Sequence, residues 1–537
     1  MEHYLIHNTL NYPILTVLII LPLIGAGVTL FLKGDLAIKT WGLLVTLATA
    51  VLSIPLFTNW DFSTSKYQFV ELTEWFPILD LNYVVGVDGI SVLLVLLTTF
   101  VMPLCVLCSW TYIQDRFKEF MLVTLLMETA MIGVFISLNT VLFFVFWEAM
   151  LVPMYLLIAV WGGERKDYAS IKFFLYTLLG SIFLLVSIVA LYIKTGTFFI
   201  PELMAQDYSF SFQMWIFLSF TLAFAIKIPM FPFHTWLPAA HVEAPVAGSV
   251  ILASILLKMG GYGFLRFCLP MAPAATFYCM PYLIFFSVVS IVVGGYLALG
   301  QSDIKKLIAY SSVGHMGFVT LGIFLLNDEG IKGAMMQMIN HGVTTGALFI
   351  LVGIVYERTH SREISKNSAL GMAMPFYVTF LVIFALASFG FPGTNGFVGE
   401  FLVLVSTFRT HVVAGAFAIV GALLAAAYML RLVQKMVWAD SDGHAHHHDD
   451  HGDGHGGEGH HKLADLNLRE VGTLAFLLCF VFWIGLNPKP LLDVMDVTVA
   501  QLLQQVSDGV NNSGDHGGHH AALMEMGQHI KQLIALK

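Results

Sequence analysis

The stretch Trp215–Pro238, WIFLSFTLAFAIKIPMFPFHTWLP, decides the fold class. It sets one lysine, Lys227, in an apolar helix long enough to enter a bilayer, with Pro229 and Pro232 directly beyond it. An ammonium near mid-membrane costs roughly 3 kcal/mol on insertion scales, so such a residue is kept for function or is paired. Proline removes a backbone donor and clashes with the preceding turn, so the helix is expected to break just after the lysine. A broken helix beside an intramembrane charge is how transporters build ion sites.

Working outward, Glu148, Lys258, His315, His341 and Glu400 also lie inside apolar stretches. A second break is expected in SFGFPGTNGFVGEFL, where Pro392, followed by three glycines, precedes Glu400. Non-helical backbone at membrane depth is tolerated only where it is buried in protein or lines a wet cavity. A structural kink would explain either break alone; a charge beside both favours function. The spacing suggests duplication: Glu148 precedes Lys227 by 79 residues and His315 precedes Glu400 by 85. Units of five spans would alternate in topology, as inverted repeats do.

Composition agrees. The chain has 537 residues, 58% hydrophobic and 11% charged, with a mean hydropathy of +0.80; soluble domains carry about 25% charged residues. Successive apolar runs of about 20 residues leave no room for a soluble domain. About 14 spans are expected, from Tyr12–Leu32 to Leu468–Leu486, including a long third span from Val84 to Trp110. The fold class is therefore all-α and polytopic, with two inverted five-helix repeats and two broken helices. Expected divisions are an N-terminal three-helix segment (1–117), two five-helix units (118–270 and 271–438), a His-rich loop (439–465), and a last helix with tail (466–537). The first apolar run lacks a basic leader and is read as a span, not a removable signal.

With the N-terminus outside, 16 of the 26 Lys and Arg residues fall on the inner side and seven on the outer. That bias places both termini outside, periplasmic in a bacterial inner membrane. Eight of the 20 histidines lie within Asp440–His461. That segment is too polar and Gly-rich to form a core, and its irregular His spacing favours an inner loop over a fixed metal centre. Cys105 and Cys108 form a CxxC on a membrane helix without a second such pair, which favours packing over redox chemistry. No flavin, haem or iron–sulfur ligand pattern appears, and no metal or cofactor site is expected in this chain. Asp303 with Lys305 and Lys306 reads as an ordinary charged loop, Arg266 as an interfacial anchor, and His234 and His241 as ambiguous. The tail after Pro490 is too mixed to span and is expected on the surface or docked on a neighbour.

The residues AFAIKIPMFPFHTWLPAAHVEAPVAGSVILASILLKMGGYGFLRF, with FFVFWEAMLVPMYLL, DIKKLIAYSSVGHMGFV and GFVGEFL, closely resemble the antiporter-like membrane subunits of respiratory complex I, the proton-translocating NADH:quinone oxidoreductase. The similarity covers most of Val84–Val437. Within that family one branch carries glutamate on the twelfth span where sister chains carry lysine, and Glu400 matches it. The resemblance implies a 14-helix fold with two inverted units, a polar axis at mid-membrane, and NADH, FMN, iron–sulfur clusters and quinone held by partner subunits. It implies sister antiporter-like chains on either side and surrounding lipids as partners, with no nucleic acid. The expected roles are Glu148 as modulator, Lys227 as central switch, Lys258 and His315 as relay, Glu400 as terminal exchange site and His341 as helper. Moving Glu148 relative to Lys227 would change the lysine's hold on its proton. The competing readings are a subunit of a multisubunit cation/proton antiporter, which Glu400 disfavours, and a passive scaffold, which the buried charges disfavour.

Overall fold

The computed structural model describes residues 2–8, 10–76, 81–438 and 463–513. The segment 440–461 and the end of the tail lie outside them. Among the described residues, 12 helices are long and apolar enough to cross a membrane. Two shorter apolar helices, Ile14–Thr29 and Pro375–Ser388, take the expected first position and the first half of the expected twelfth span. Helix dominates because apolar runs at membrane depth must satisfy every backbone group internally.

A small sheet corrects the all-α expectation. Strand β1 (Leu5–His7) runs parallel to β2 (Tyr67–Phe76), which pairs antiparallel with β3 (Leu81–Val87). The segments YQFVELTEWF and LNYVVGV are rich in aromatic and β-branched residues that suit a pleated surface. Apolarity alone had assigned Val84–Val87 to the third span. The helix instead starts at Ser91, after Asp88 accepts the backbone N–H groups of Ile90 (3.2 Å) and Ser91 (3.0 Å). The hairpin also caps the first helix: Glu71 accepts from Leu15 N (2.8 Å) and Thr16 N (3.0 Å), two of the donors a helix start leaves free. The end of the molecule that carries this sheet is the hairpin end.

Both expected breaks form. The first follows helix Phe210–Lys227 and ends at helix Trp236–Glu243. Its freed backbone groups find partners: Trp236 Nε1 donates to Ile226 O (2.9 Å) and Phe231 N to Ser290 Oγ (2.9 Å). The second separates Pro375–Ser388 from Asn395–Thr410. There Gly390 (φ 74°) and Gly393 (φ 90°) take left-handed conformations that side chains disfavour. Asn340 Nδ2 donates to Asn395 O (2.6 Å), tying this break to the neighbouring span Asp328–Thr359.

The span Val246–Met271 lies wholly inside the bundle. It contains two π-helical turns, Leu252–Leu256 and Phe264–Cys268, on either side of Lys258. Helix Lys166–Thr195 presents an apolar face, including Ile171, Leu175, Leu179 and Ile182, that is exposed in the isolated chain. After the last span, helix Lys489–Ser513 lies on the hairpin end, docked through Met495, Val499, Leu503 and Val506.

Candidate functional site

Four of the six expected residues form one buried chain of contacts. Lys258 Nζ donates to Ala253 O, a carbonyl in the adjoining π turn, and lies 2.7 Å from His341 Nδ1. π turns release a carbonyl from the regular helical ladder, so the local winding supplies the ammonium with a partner. The His341 and His315 rings are 5.6 Å apart between centroids. His315 Nδ1 lies 3.0 Å from Glu400 Oε1. Gln337 Nε2 also donates to Glu400 Oε1 (2.9 Å), and Ser388 Oγ lies 3.4 Å from His315 Nε2. All four are at most 4% exposed.

Water has room in this chain. A cavity of about 10 Å³ is bounded by His315, Gln337, Asn340, His341, Thr344 and Ser388 among others, about the space of one water molecule. His341 Nε2, Gln337 Oε1 and Asn340 Oδ1 are buried without a protein partner, and such atoms normally bond to something. The second break faces this cavity, and Gly399 packs 2.7 Å from Gln337 N when extended by a Cβ. Only glycine lets the Glu400 helix approach this closely.

Glu148 and Lys227 form a second cluster. Helix Thr140–Ala149 is capped by Asn139, whose Oδ1 accepts from Val141 N (2.9 Å), and it carries Glu148 near its end. Glu148 is half-buried and its Oε1 has no protein partner. It acts on Lys227 electrostatically, without an ion pair within 4.0 Å. Lys227 is 3% exposed, and its Nζ lies 5.1 Å from the centre of the Trp147 ring, a cation–π contact. The break at Lys227 packs on the Lys258 span where a Cβ at Gly260 would sit 2.7 Å from Ile228 N. The two clusters thus abut through backbone, with no direct side-chain hydrogen bond between Lys227 and Lys258.

Three readings need correction. Lys305 is not an ordinary loop charge: it is 6% exposed and donates to Ala244 O (2.5 Å). It lines a cavity of about 360 Å³ at the end opposite the hairpin, with Glu243, Asp303 and Arg362. Arg266 is not an interfacial anchor: it is 4% exposed, with its Nη2 2.6 Å from Asp88 Oδ2 and its Nη1 donating to Tyr67 OH (2.7 Å). Burial raises the Tyr67 phenol above its ordinary value, which keeps it protonated. His241, left ambiguous by sequence, is fully buried with neither ring nitrogen partnered. It stacks on Phe349 at 4.5 Å and interacts electrostatically with both Lys305 and Lys258.

Sequence reading missed Glu128 and Gln337. Glu128 is fully buried with both carboxyl oxygens unpartnered. The rule that singled out Glu148, a carboxylate within an apolar run, applies equally to MLVTLLMETAM. Gln337 carries no charge and gave no such signal. Among the described residues, no group of three or more His, Cys, Asp or Glu side chains is placed to hold a metal ion.

Residues 137–425, more than half the chain, match the family model described as NADH:quinone oxidoreductase/Mrp antiporter, TM. The chain is 42% identical to NADH-quinone oxidoreductase subunit M of Rhodobacter capsulatus, over 91% of this chain and 96% of that one. Its fold matches a chain in respiratory complex I from Thermus thermophilus with a TM-score of 0.79 and 30% identity, covering 91% of this chain and 99% of that one. A chain of the Mrp complex from Dietzia sp. shares the fold at a TM-score of 0.75 and 20% identity, covering 92% and 99%. The family match over more than half of the chain and the 42% identity to a subunit M place this chain in the NADH:quinone oxidoreductase/Mrp antiporter membrane-subunit family, among the subunit M proteins.

Proposed function

We propose that this chain is the subunit M of a respiratory complex I and translocates protons through its buried axis while partner subunits carry out NADH:quinone oxidoreduction. The observation that carries this reading is the unbroken series Lys258–His341–His315–Glu400. Each member can gain or lose a proton, and each is close to the next directly or across the space of one water. Glu148 and Lys227 form the adjoining switch: a change in their separation alters how firmly Lys227 holds its proton. Moving one proton against about 150 mV requires roughly 3.5 kcal/mol, within reach of a buried charge pair that changes partners.

The cavity reaching Lys305 is the mouth for proton uptake, and the buried, unpartnered His241 is the group that would pass protons on towards Lys258. The basic asymmetry orients this mouth to the cytoplasm and both termini to the periplasm of a bacterial inner membrane. In this reading the molecule comprises 14 spans with two inverted five-helix units, 118–270 and 271–438. NADH, FMN, iron–sulfur clusters and quinone belong to partner subunits. Sister antiporter-like chains and lipids cover the apolar faces, and half-buried Glu148 sits where a neighbour can act on it. The alternative, a subunit of a cation/proton antiporter, is disfavoured by the lower identity to the Mrp chain and by Glu400.

The test is proton uptake by membrane vesicles oxidising NADH, with Lys258→Ala and Glu148→Gln variants confirmed as assembled by native gel. Both are expected to lose most uptake and coupled oxidation. Native uptake in either variant would contradict the relay.

A further inference from the structure

The surface helix Lys489–Ser513 holds both spans that make the Lys258–His341 contact at the hairpin end, the His341 span through an ion pair of its own and the Lys258 span through Gly89, whose neighbour Asp88 pairs with Arg266. On one side, Thr498 Oγ1 accepts from Gly89 N (3.1 Å), and Gly89 packs against Val494 O so closely that a Cβ would collide. The next residue back, Asp88, pairs with Arg266 at 2.6 Å, and Tyr67 and Tyr262 also contact the guanidinium. Arg266 is eight residues from Lys258 in the same span, roughly 12 Å along a helix rising 1.5 Å per residue. On the other side, Asp496 pairs with Lys332, which also pairs with Asp328 at 2.7 Å. Lys332 is nine residues from His341 in the same helix, roughly 14 Å by the same rise. Asp496 and Thr498 are two residues apart on one surface helix, so the two spans share a single external brace.

We propose that helix Lys489–Ser513 is a strap that fixes the register between the Lys258 and His341 spans, and that Asp496, Lys332, Asp88 and Arg266 are positioning residues for proton transfer. A hydrogen-bonded proton step requires heavy atoms within about 3.2 Å. The π turns beside Lys258 leave that span without a rigid regular ladder, so an external anchor sets where its ammonium rests. Arg266 cannot slide without leaving Asp88 as a buried, uncompensated charge, which is strongly unfavourable. The Lys332–Asp496 pair is more exposed, with Asp496 half in solvent. It can therefore be altered with less risk to folding.

This strap rests on the proton-relay reading, and the test separates the two. The intact complex in native membranes is prepared with Asp496→Asn and Asp496→Glu, with Lys258→Ala alongside. Proton uptake during NADH oxidation is measured per amount of assembled complex. A merely structural role changes the amount and leaves the ratio alone. Asp496→Asn is expected to lower the ratio about threefold or more, while Asp496→Glu keeps it within about twofold of native. An assembled Asp496→Asn variant with the native ratio overturns the strap, as does an Asp496→Glu variant that stays as low as Asp496→Asn. If Lys258→Ala itself pumps normally, the relay reading fails whatever the strap variants do. If Lys258→Ala is inactive and Asp496→Asn is native, the strap alone fails.

Discussion

At the scale of single residues, Glu148 and Glu400 are carboxyl groups in unlike settings. Glu148 is half-buried with Oε1 unpartnered, whereas Glu400 is buried and held by His315 and Gln337. In the proposed switch, Glu148 acts through its charge. Asp at that position keeps the charge with a shorter reach, so Glu148→Asp is expected to retain substantial pumping where Glu148→Gln loses about tenfold, equivalent to ~1.4 kcal/mol on the limiting step. Comparing proton uptake by vesicles of the two variants checks this, and equal loss in both would mean that shape matters more than charge. In the proposed relay Glu400 only has to exchange a proton, a role for which the resemblance implies lysine in sister chains. Glu400→Lys is expected to retain measurable uptake despite the reversed charge beside His315. If it is as inactive as Glu400→Gln under the same assay, the carboxylate is needed for its sign.

Among the elements, the breaks and the π-turned span bring the charged side chains together, and small residues let them approach. Gly260 lies against the backbone of the Lys227 break. Gly260→Leu would need space that this backbone occupies, and overpacking of a tight core costs about 1–3 kcal/mol. The variant is expected to reduce the amount of assembled complex on a native gel, whereas Gly472→Leu, where an added Cβ meets nothing, is expected to leave it unchanged. Both breaks were legible from sequence because proline and clustered glycine leave a local signature beside an out-of-place charge. The hairpin was not, because Val84–Val87 is apolar enough to read as the start of a span, and only the pairing with β2 distinguishes a strand there. The π turns carry no composition of their own. Lys305 and Arg266 were misjudged for a related reason: each lies near a span end, where snorkelling is the ordinary expectation. Their burial depends on contacts with Ala244 and Asp88 from elements distant in sequence.

For the whole molecule, family and membrane character were legible because the Lys227–Arg266 motif is long and specific and the composition excludes a soluble fold. Orientation rests on the distribution of basic residues, 16 against seven. Thiol labelling of a cysteine placed near His448 is expected to succeed only from the cytoplasmic side, and periplasmic labelling would invert the topology and with it the direction assigned to the Lys305 cavity. Deleting residues 440–461 with a short linker is expected to leave assembly and pumping near native, because a polar segment of this composition contributes little buried area. Loss of activity restored by added zinc would show that its histidines hold a metal with a role. The proposed relay rests on a continuous series of protonatable contacts from Lys258 to Glu400. The most direct measurement of it is proton uptake per assembled complex in NADH-oxidising vesicles carrying Glu400→Gln, read with a pH-sensitive dye. Uptake well below native is the expected result; native uptake would remove Glu400 from the path and contradict the relay.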